Sequence, residues 1–427
     1  MKKSTASVLV ALIVAMKALS AGPVDSPPRE VELVLRSGAH ERRDAVVHAI
    51  VPDAFSAEIR RSLAAGPTAL TLRSGDRTII AEARRASDRD GVELVWVHPG
   101  TIPAGAEARL TLDTATPADT RSPWSFRNDP NGGVDLARGE RKVFRYNSAP
   151  VLEAGWPEIQ RRDAYIHPVY TPSGLLATGD FSKFHTHHRG IFLAYAKMKL
   201  KDDVVDVWNI HNAKAGGKIH HEKFVGPTAG PVTARFSTRH RWETKEKRPF
   251  LDETWDVEVY DVPGSPYWLF DITSTQIARE TPVELSPYRY GGMAYRGPEP
   301  FVKGKLDVLT SEGRGRVDGD QKPARWVDLT GPSAEGSNEY LGAMIADHPS
   351  NINHPTVARI HPTSLPFFSY VPSHQTHNKA FTLAPGEPRR FRYRVLVHDG
   401  RPDRDRDERV WRDFAEPVEV AVIPPRP

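Results

Sequence analysis

The stretch WDVEVYDV, residues 255–262, alternates apolar and polar side chains. Successive side chains of a β-strand point to opposite faces of a sheet, so this pattern predicts a strand with one buried face. Similar runs recur between clusters of Pro, Gly, Asp and Asn, among them VELVLRS (31–37), VELVWVHP (92–99) and RFRYRVLVHD (390–399). The 37 prolines and 31 glycines suit many strand ends and turns. The sequence therefore predicts an all-β fold.

A change in composition around residues 113–133 indicates a domain boundary. The segment DTATPADTRSPWSFRNDPNGG has no sustained apolar period and is rich in Pro, Asp, Asn, Ser and Gly. We therefore predict a small N-terminal β-sandwich at residues 28–113, a linker at 114–133 and a large β-sandwich domain at 134–400. Residues 401–427 are predicted to be a C-terminal tail.

Residues 1–20 have the pattern of a cleaved signal peptide. Lys2 and Lys3 precede an apolar run from Ala6 to Met16, and the small residues Ala18 and Ser20 suit a cleavage site. A buried N-terminal helix is the alternative. No later stretch approaches the roughly 20 apolar residues of a transmembrane helix, which predicts no stable membrane insertion after signal cleavage. We therefore expect a periplasmic or secreted protein.

Charge and cysteine content narrow the class of partner and site. The formal charge of +4 falls to about +1 once the three lysines of the signal peptide are removed, and no polybasic run is present. Nucleic acid is therefore an unsuitable partner. The chain contains no cysteine, which excludes disulfides, a lipid-anchored cysteine and thiolate metal ligands.

The stretch FSKFHTHHRG, residues 181–190, is the densest group of functional side chains. In an extended strand, His185 and His187 would share one face, and such a pair can supply two imidazoles to a metal ion. The third ligand would come from elsewhere, with His221 as one candidate. Imidazoles with Arg189 beside them also suit metal-free acid–base chemistry. A structural role in hydrogen bonding near a loop is the third alternative.

Two further stretches supply candidate site residues. ADHPSNINHP (346–355) is a polar loop, and SPYRYGGMAYRG (286–297) joins aromatic rings to arginines. Flat rings with hydrogen-bonding groups are what a sugar-binding cleft requires, although strand cores also contain aromatics. Glu253 and Asp271 are carboxylates in strand-like runs and are general bases or, more simply, solvated outward side chains.

Several motifs together resemble the bacterial PmoA-like family of unknown function. The stretches that carry the resemblance, in order between Arg141 and Gly400, are YIHPVYTPSG, FHTHHRGIF, VDVWN, GGKIHHEKF, RYGGMAYRG, ARWVDLTG, IADHPSNINHPT and FTLAPGEPRRFRYRVLVHDG. The resemblance implies an exported β-rich protein whose large domain is a galactose-mutarotase-like β-sandwich. The label "methane oxygenase PmoA" refers to a subunit made of transmembrane helices, so we do not expect that activity in this chain.

The resemblance also points to individual positions. The family's histidine pair followed by Arg-Gly matches His187, His188, Arg189 and Gly190, with His185 before it and Thr186 in place of the usual proline. The family's Trp matches Trp208, its Gly-Gly…His stretch matches Gly216, Gly217 and His220 or His221, and its Asp-His-Pro loop matches Asp347, His348 and Pro349.

Together these observations predict an exported carbohydrate-active enzyme, a hydrolase or lyase acting on glycosides or modified sugars. The alternatives are a mutarotase-like epimerase and a non-catalytic sugar-binding protein. The cofactor is open: a divalent metal ion is one alternative and metal-free chemistry the other. The catalytic candidates are His187, His188, Arg189 and His348, the substrate-binding candidates are Trp208, Tyr288, Arg289, Arg296, Asp347 and His354, and the metal-ligand candidates are His185, His187 and His221.

Overall fold

The fold is mostly β, which confirms the predicted class. A computed structural model of the protein describes residues 30–52, 59–61, 63, 66–86, 91–118, 120–201, 203–211, 216–303, 306–363 and 365–423. The predicted signal peptide lies outside these residues. None of the helices in this part of the chain has both the length and the apolar character needed to span a bilayer.

The N-terminal strands form one continuous antiparallel sheet of seven strands, in the order β2-β5-β4-β3-β6-β1-β28. Its end strands, β2 and β28, lie against each other. The sheet therefore curls around its own apolar cluster, which includes Leu33, Trp96 and Leu112. The strands are β1 (Glu30–Arg36), β2 (Arg42–Val51), β3 (Thr68–Ser74), β4 (Arg77–Arg85), β5 (Val92–Ile102), β6 (Glu107–Pro117) and β28 (Glu419–Ile423).

The large domain contains two sheets that share one core. All strand pairs of the nine-stranded sheet, in the order β21-β24-β25-β19-β11-β10-β9-β8-β7, are antiparallel. Its strands are β7 (Trp124–Asp129), β8 (Gly133–Arg138), β9 (Arg141–Asn147), β10 (Tyr165–Val169), β11 (Ile191–Tyr195), β19 (Gly291–Arg296), β21 (Lys322–Pro323), β24 (Val357–Ile360) and β25 (Phe367–Val371).

The second sheet of the sandwich has eight antiparallel strands in the order β14-β15-β16-β17-β27-β23-β22-β20. Side chains such as Phe144 and Tyr295 from the first sheet and Phe270 from the second pack in one cluster. The strands are β14 (Gly217–Ala229), β15 (Thr233–Thr244), β16 (Pro249–Tyr260), β17 (Tyr267–Ala278), β20 (Asp307–Thr310), β22 (Trp326–Pro332), β23 (Tyr340–Asp347) and β27 (Arg389–Asp399).

Smaller elements complete the large domain. A four-stranded sheet has the order β13-β12-β18-β26. Its strands are β12 (Met198–Leu200), β13 (Asp203–Val205), β18 (Val283–Leu285) and β26 (Phe381–Leu383). The helices are α1 (Pro300–Lys303), α2 (Arg404–Ala415) and the 3-10 turns Glu158–Gln160 and Gln375–His377.

The alternating residues Trp255 to Tyr260 lie in strand β16. Trp255, Val257 and Val259 are buried in the shared core, whereas Asp256 is exposed. Tyr260 is buried as well, in a separate cluster with side chains of the N-terminal sheet and helix α2. The outer face of the eight-stranded sheet is therefore covered at this point by the N-terminal sheet and α2.

The predicted C-terminal tail is wrong over residues 404–423. Asp403 caps helix α2 by accepting hydrogen bonds from the backbone N–H groups of Asp405 and Arg406. Strand β28 then pairs with β1. The sequence of this segment is mostly polar because a helix packed on a sheet buries only one of its faces. Val410 and Phe414 belong to the buried face.

The predicted linker is shorter than expected. Strand β6 runs to Pro117, and strand β7 begins at Trp124 and forms the edge of the nine-stranded sheet. Within the predicted linker, Trp124 is buried among the core residues and packs near Trp268. An edge strand exposes much of its length, which removes the apolar period that marks other strands. The division into two domains stays a prediction.

Candidate functional site

The histidine-rich stretch is a turn and not a strand. It lies in the connection between β10 and β11, and His185 has a left-handed backbone conformation with φ of 54°. The backbone N–H of His188 donates to the carbonyl of His185 over 3.0 Å. The prediction of an extended strand is therefore wrong. The turn brings His185, His187 and His188 to one point, whereas a strand would have placed His188 on the opposite face.

These three imidazoles converge closely enough to surround one ion. One ring nitrogen of each of His185, His187 and His188 lies within 4.8 Å of the others. Ligand nitrogens around a tetrahedral zinc ion are roughly 3.4 Å apart, for bonds of about 2.1 Å. Small side-chain rotations would close that gap. We call these three residues the histidine triad.

Two further histidines extend the group without belonging to the triad. The ring of His211 stacks on His187 with centroids 4.1 Å apart, and His361 meets the edge of His185 at 5.2 Å. His185 and His211 are exposed, whereas His187 and His188 are buried. The triad therefore has an open side formed by His185 and a closed side formed by its partners.

The buried rings are held in the neutral state. Burial, together with the neighbouring imidazoles and arginines, lowers the pKa of His187 to about 2 and that of His188 well below its usual value. The Nδ1 atoms of both rings are buried without a hydrogen-bond partner among the described residues. A neutral imidazole with an unengaged nitrogen is the state that binds a metal ion.

Arg189 stabilises the histidine turn through buried contacts. Its guanidinium donates to Asp180 Oδ1 at 2.5 Å and to the carbonyl of Gln160 at 2.8 Å, and it stacks over the Phe181 ring. The side chain is completely buried. The prediction that Arg189 contacts substrate is not supported by this position, because a buried ion pair leaves the guanidinium committed to the loop. Arg189 is a positioning residue.

Arg296 lies beside the triad, since its charge acts on all three imidazoles. Its guanidinium bonds to Ser182 Oγ and lies 3.4 Å from Glu299. The Nε and Nη1 atoms are buried without a partner among the described residues. Burial lowers the pKa of Arg296 to about 10. The guanidinium is still charged at neutral pH and adds positive potential next to the histidines.

An aromatic group connects the triad to the predicted sugar-binding stretch. The Trp208 ring lies 5.7 Å from His188 and 5.5 Å from Tyr290, and Tyr290 meets Tyr288 at 4.8 Å. Trp208 is buried, whereas Tyr288 is half-buried and Arg289 is exposed and placed over the Tyr290 ring. The structure thus connects Trp208, Tyr288 and Arg289 to the triad through a series of ring contacts, and their role in substrate binding stays a prediction.

Comparison with known proteins identifies a family. Residues 133–412 match the model of a family of unknown function, DUF6807. The chain belongs to this family. The family's description assigns no function, as expected, and it contains no methane oxygenase label. No curated protein matches the chain.

Several solved structures are distantly similar to this DUF6807 protein. An α-mannosidase from Enterococcus faecalis V583 is 10% identical, with 93% of this chain and 46% of that chain covered and a TM-score of 0.38. A glycosyl hydrolase family 38 protein from Enterococcus faecalis is 9% identical, with 93% and 48% covered and a TM-score of 0.34. The chain spans about half the length of these two proteins. A GalM/aldose epimerase homologue from C. elegans is 10% identical, with 66% and 100% covered and a TM-score of 0.27.

The Asp-His-Pro loop of this DUF6807 chain forms a separate cluster. Asp347 accepts from Asn351 Nδ2 and from the backbone N–H of Thr356, and it lies 2.9 Å from His354 Nδ1. The ring of His348 packs on Phe414 of helix α2. These contacts make Asp347 and His354 structural parts of a loop, not groups open to a substrate.

The length of strand β25 separates this loop from the triad. Phe367 at the start of β25 stacks on His188, whereas Pro372, just past its end, accepts from Asn353 of the loop. A five-residue strand spans roughly 15 Å. The prediction that His348 faces the triad is therefore wrong, as is the placement of Asp347 and His354 at the same site.

His221 does not belong to the group of converging ring nitrogens, so its prediction as a metal ligand with His185 and His187 is wrong. Its Nδ1 atom is 2.8 Å from the hydroxyl of Tyr146. Tyr146 was not among the candidate residues predicted from the sequence. Glu253, expected outward, is fully buried and bonds to His240. Pairing of β15 with β16, which places His240 opposite Glu253, is the feature that unites these residues, and no single stretch of sequence displays it.

Protonation of His348 should make the stability of this DUF6807 protein depend on pH. Burial and Arg392 lower the pKa of His348 to about 4, and its Nε2 atom must accept from Arg392 Nη1 at 2.9 Å. The pKa is lower in the folded than in the unfolded chain, so this contribution is complete above about pH 6.5 and is lost as pH falls towards 4. Between pH 7 and 4.5 the wild type should lose about 2 kcal/mol more unfolding free energy than His348→Gln.

Urea denaturation of both proteins at the two pH values checks this expectation. Glutamine keeps an acceptor for Arg392 but does not titrate, so it isolates the charge of His348. Equal losses of stability in the two proteins would show that His348 is protonated in the folded state without penalty.

Proposed function

We propose that this protein is an exported enzyme that acts on carbohydrate and holds a divalent metal ion at His185, His187 and His188. The observation that carries the proposal is the convergence of three ring nitrogens within 4.8 Å. Three protein ligands with an open position are typical of catalytic zinc sites, and imidazole also suits copper, iron and nickel. The exposed side at His185 would leave the open position accessible to a substrate.

The depressed pKa values favour metal binding over metal-free acid–base chemistry at the triad. A general acid or base is most effective when its pKa is close to the working pH. His187, with a pKa of about 2, stays unprotonated throughout the neutral range. Such a ring is a poor proton carrier but a good ligand, because metal binding requires the neutral form. When bound, the metal ion would polarise a carbonyl or lower the pKa of a water molecule.

The aromatic and polar groups beside the triad support a sugar as the substrate. The half-buried rings of Tyr288 and Tyr290 can pack on the apolar face of a pyranose, and the exposed guanidinium of Arg289 supplies hydrogen-bond donors beside them. We propose hydrolysis or lyase cleavage of a glycoside or modified sugar as the reaction class. Export follows from the predicted signal peptide at residues 1–20.

The proposal is tested on the mature protein in two steps. Elemental mass spectrometry measures its content of zinc, copper, iron and manganese after growth with all four metals. A panel of glycosides and uronate-containing oligosaccharides is then assayed with and without a chelator. Near-stoichiometric metal with turnover that stops on chelation and returns with metal is the expected result.

Each other outcome overturns a stated part of the proposal. Turnover by a metal-free protein would remove the metal from the mechanism. A metal-loaded protein that binds oligosaccharides in calorimetry, but turns over none, would be a sugar-binding protein. A protein with neither metal nor affinity for sugar would overturn the whole proposal.

A further inference from the structure

Four side chains form a continuous hydrogen-bonded chain between the two sheets of the sandwich. Glu253 Oε2 lies 3.0 Å from His240 Nδ1, His240 Nε2 lies 2.9 Å from the Tyr146 hydroxyl, and that hydroxyl lies 2.8 Å from His221 Nδ1. Tyr146 belongs to β9 and the other three to β14, β15 and β16. The chain begins at a fully buried carboxylate and ends at a half-buried imidazole. We call it the relay.

The inner end of the relay is a fixed negative charge. Besides His240, Glu253 accepts hydrogen bonds from Trp242 Nε1, Trp255 Nε1 and Ser274 Oγ at 3.0, 2.8 and 2.5 Å. Burial alone raises the pKa of Glu253, but His240 and these hydrogen bonds outweigh it and leave the pKa below its usual value. An ionised carboxylate can only accept, so His240 Nδ1 must carry a proton. His240 Nε2 therefore faces Tyr146.

Tyr146 connects the two histidines without becoming charged. Its hydroxyl contacts Thr238 Oγ1 at 2.6 Å in addition to both rings. Burial raises the pKa of Tyr146 well above its usual value, so the phenolate is not formed. The hydroxyl can nevertheless donate one proton and accept another in the same event.

Two proton arrangements satisfy the contacts of the Tyr146 hydroxyl with the two rings. In the first, Tyr146 donates to His240 Nε2, His221 Nδ1 donates to the Tyr146 oxygen, and His221 Nε2 is an unprotonated base. When His221 Nε2 takes up a proton, its Nδ1 proton moves to the Tyr146 oxygen and the hydroxyl proton moves to His240 Nε2. The result is a neutral His221, an intact Tyr146 hydroxyl and a cationic His240 beside the Glu253 carboxylate. One proton has entered and one positive charge has appeared, on His240.

This arrangement solves an electrostatic problem at His221. Burial and the neighbouring His240 lower the pKa of His221 to about 4, so a positive charge on this ring is unfavourable. Transfer through Tyr146 places the charge next to a buried carboxylate, where an ion pair stabilises it. The other charged and titratable groups near His221 are the His220–Glu243 pair, the Arg241–Glu222 pair and buried Asp163.

The relay lies near the histidine triad, along the same end of the nine-stranded sheet. Tyr146 pairs with Ile166, and Ile166 pairs with Ile191, which directly follows the histidine turn. The backbone of Tyr146 is therefore two strand spacings, roughly 10 Å, from the backbone of Ile191. Arg162 and Asp163 precede β10 between the two groups: the charge of Arg162 acts on His187 and that of Asp163 interacts with His240.

We propose that His221 is the proton-exchanging group of a second, acid–base site, with Tyr146, His240 and Glu253 as the residues that position it and receive its charge. Its ligand would be a hydroxyl or ring oxygen of a sugar, and this part of the inference rests on the proposed function. The relay itself does not, because it requires only the four side chains.

Nuclear magnetic resonance of ¹⁵N-histidine-labelled protein tests the relay without a substrate. We expect His240 to carry its ring proton on Nδ1 at neutral pH. We further expect the ¹⁵N resonances of His240 and His221 to change together in one step as pH falls, because the two rings share one proton. Because Thr238 Oγ1 also contacts His221 Nδ1 and His240 Nε2, at 2.9 and 3.2 Å, this coupling should weaken in Tyr146→Phe and vanish when Thr238→Val is added. Tyr370→Phe is the matched control, since Tyr370 is a buried tyrosine whose hydroxyl bonds to the carbonyl of Ile345 and not to the relay.

The same experiment can overturn the inference. A His240 ring that is protonated on Nε2 alone, or that does not respond while His221 titrates, would rule out the relay. If Tyr146→Phe does not fold, His221→Gln replaces it, and the low-pH change at His240 should then be absent. Coupled resonances in a protein that turns over no sugar would preserve the relay and refute the proposed function. With a substrate, Tyr146→Phe should lower kcat about 100-fold at nearly constant KM.

Discussion

Replacing His187 and His188 together by alanine is expected to abolish stoichiometric zinc binding. Two of the three converging ring nitrogens are lost, and His185 alone cannot hold the ion in competition with water. Loss of an outer-shell hydrogen bond already costs 10–100-fold in metal affinity, so loss of two direct ligands should exceed about 100-fold. Calorimetric titration of the metal-free proteins with zinc measures the change, and circular dichroism verifies that the variant is folded.

His211→Ala is the matched control for this double variant. His211 stacks on His187 and is part of the same group of rings, but it does not belong to the triad. We expect its affinity for zinc to change by less than about tenfold, as for an outer-shell residue. Equal zinc binding by the wild type and the double variant would show that the triad is not a metal site. A loss as large in His211→Ala as in the double variant would move the ligand set away from His185.

The strands of this fold were accessible from the sequence because their pattern is local. Trp255, Val257 and Val259 alternate with polar residues, and each is buried in the shared core. The C-terminal helix and the edge strand β7 were missed for a related reason. Each buries too few side chains to impose an apolar period. The strand β28 that follows the helix is in addition held by β1, a partner distant in sequence.

The candidate site was only partly accessible. The concentration of histidines at 185–188 marked the place where the rings converge. Their geometry depends on left-handed residues, among them His185 and Gly190, and sequence patterns do not specify a left-handed histidine. The grouping of His348 with the triad was wrong, because polar loops at opposite ends of a strand look alike in sequence. The relay was missed since His221, His240 and Glu253 meet only after three strands are aligned in register.

Gly190→Ala is expected to destabilise the protein by about 4 kcal/mol and to weaken metal binding. Gly190 ends the histidine turn with φ of +45°, and a Cβ atom there would lie 2.2 Å from the carbonyl oxygen of Ile166. An L-residue in this region costs about 1–2 kcal/mol by itself. The rest of the effect arises because the added Cβ meets a backbone carbonyl, which cannot rotate away as a flexible side chain can. Strands β10 and β11 would have to separate, and His188 would move with them. Urea denaturation and zinc titration measure the two effects.

Gly139→Ala separates the two contributions, because Gly139 has a similar φ of +57° but no atom within 4 Å of the added Cβ. The variant should lose only the unfolding free energy that a left-handed L-residue costs, about 1–2 kcal/mol. It should bind zinc as the wild type does. The difference between the two variants therefore measures the steric contact that holds the histidine turn against strand β10. If both variants lose the same stability, the contact with Ile166 relaxes freely. The turn would then be held by the contacts of Arg189 with Asp180 and Gln160 and of Arg296 with Ser182, and Asp180→Ala should disperse the triad instead.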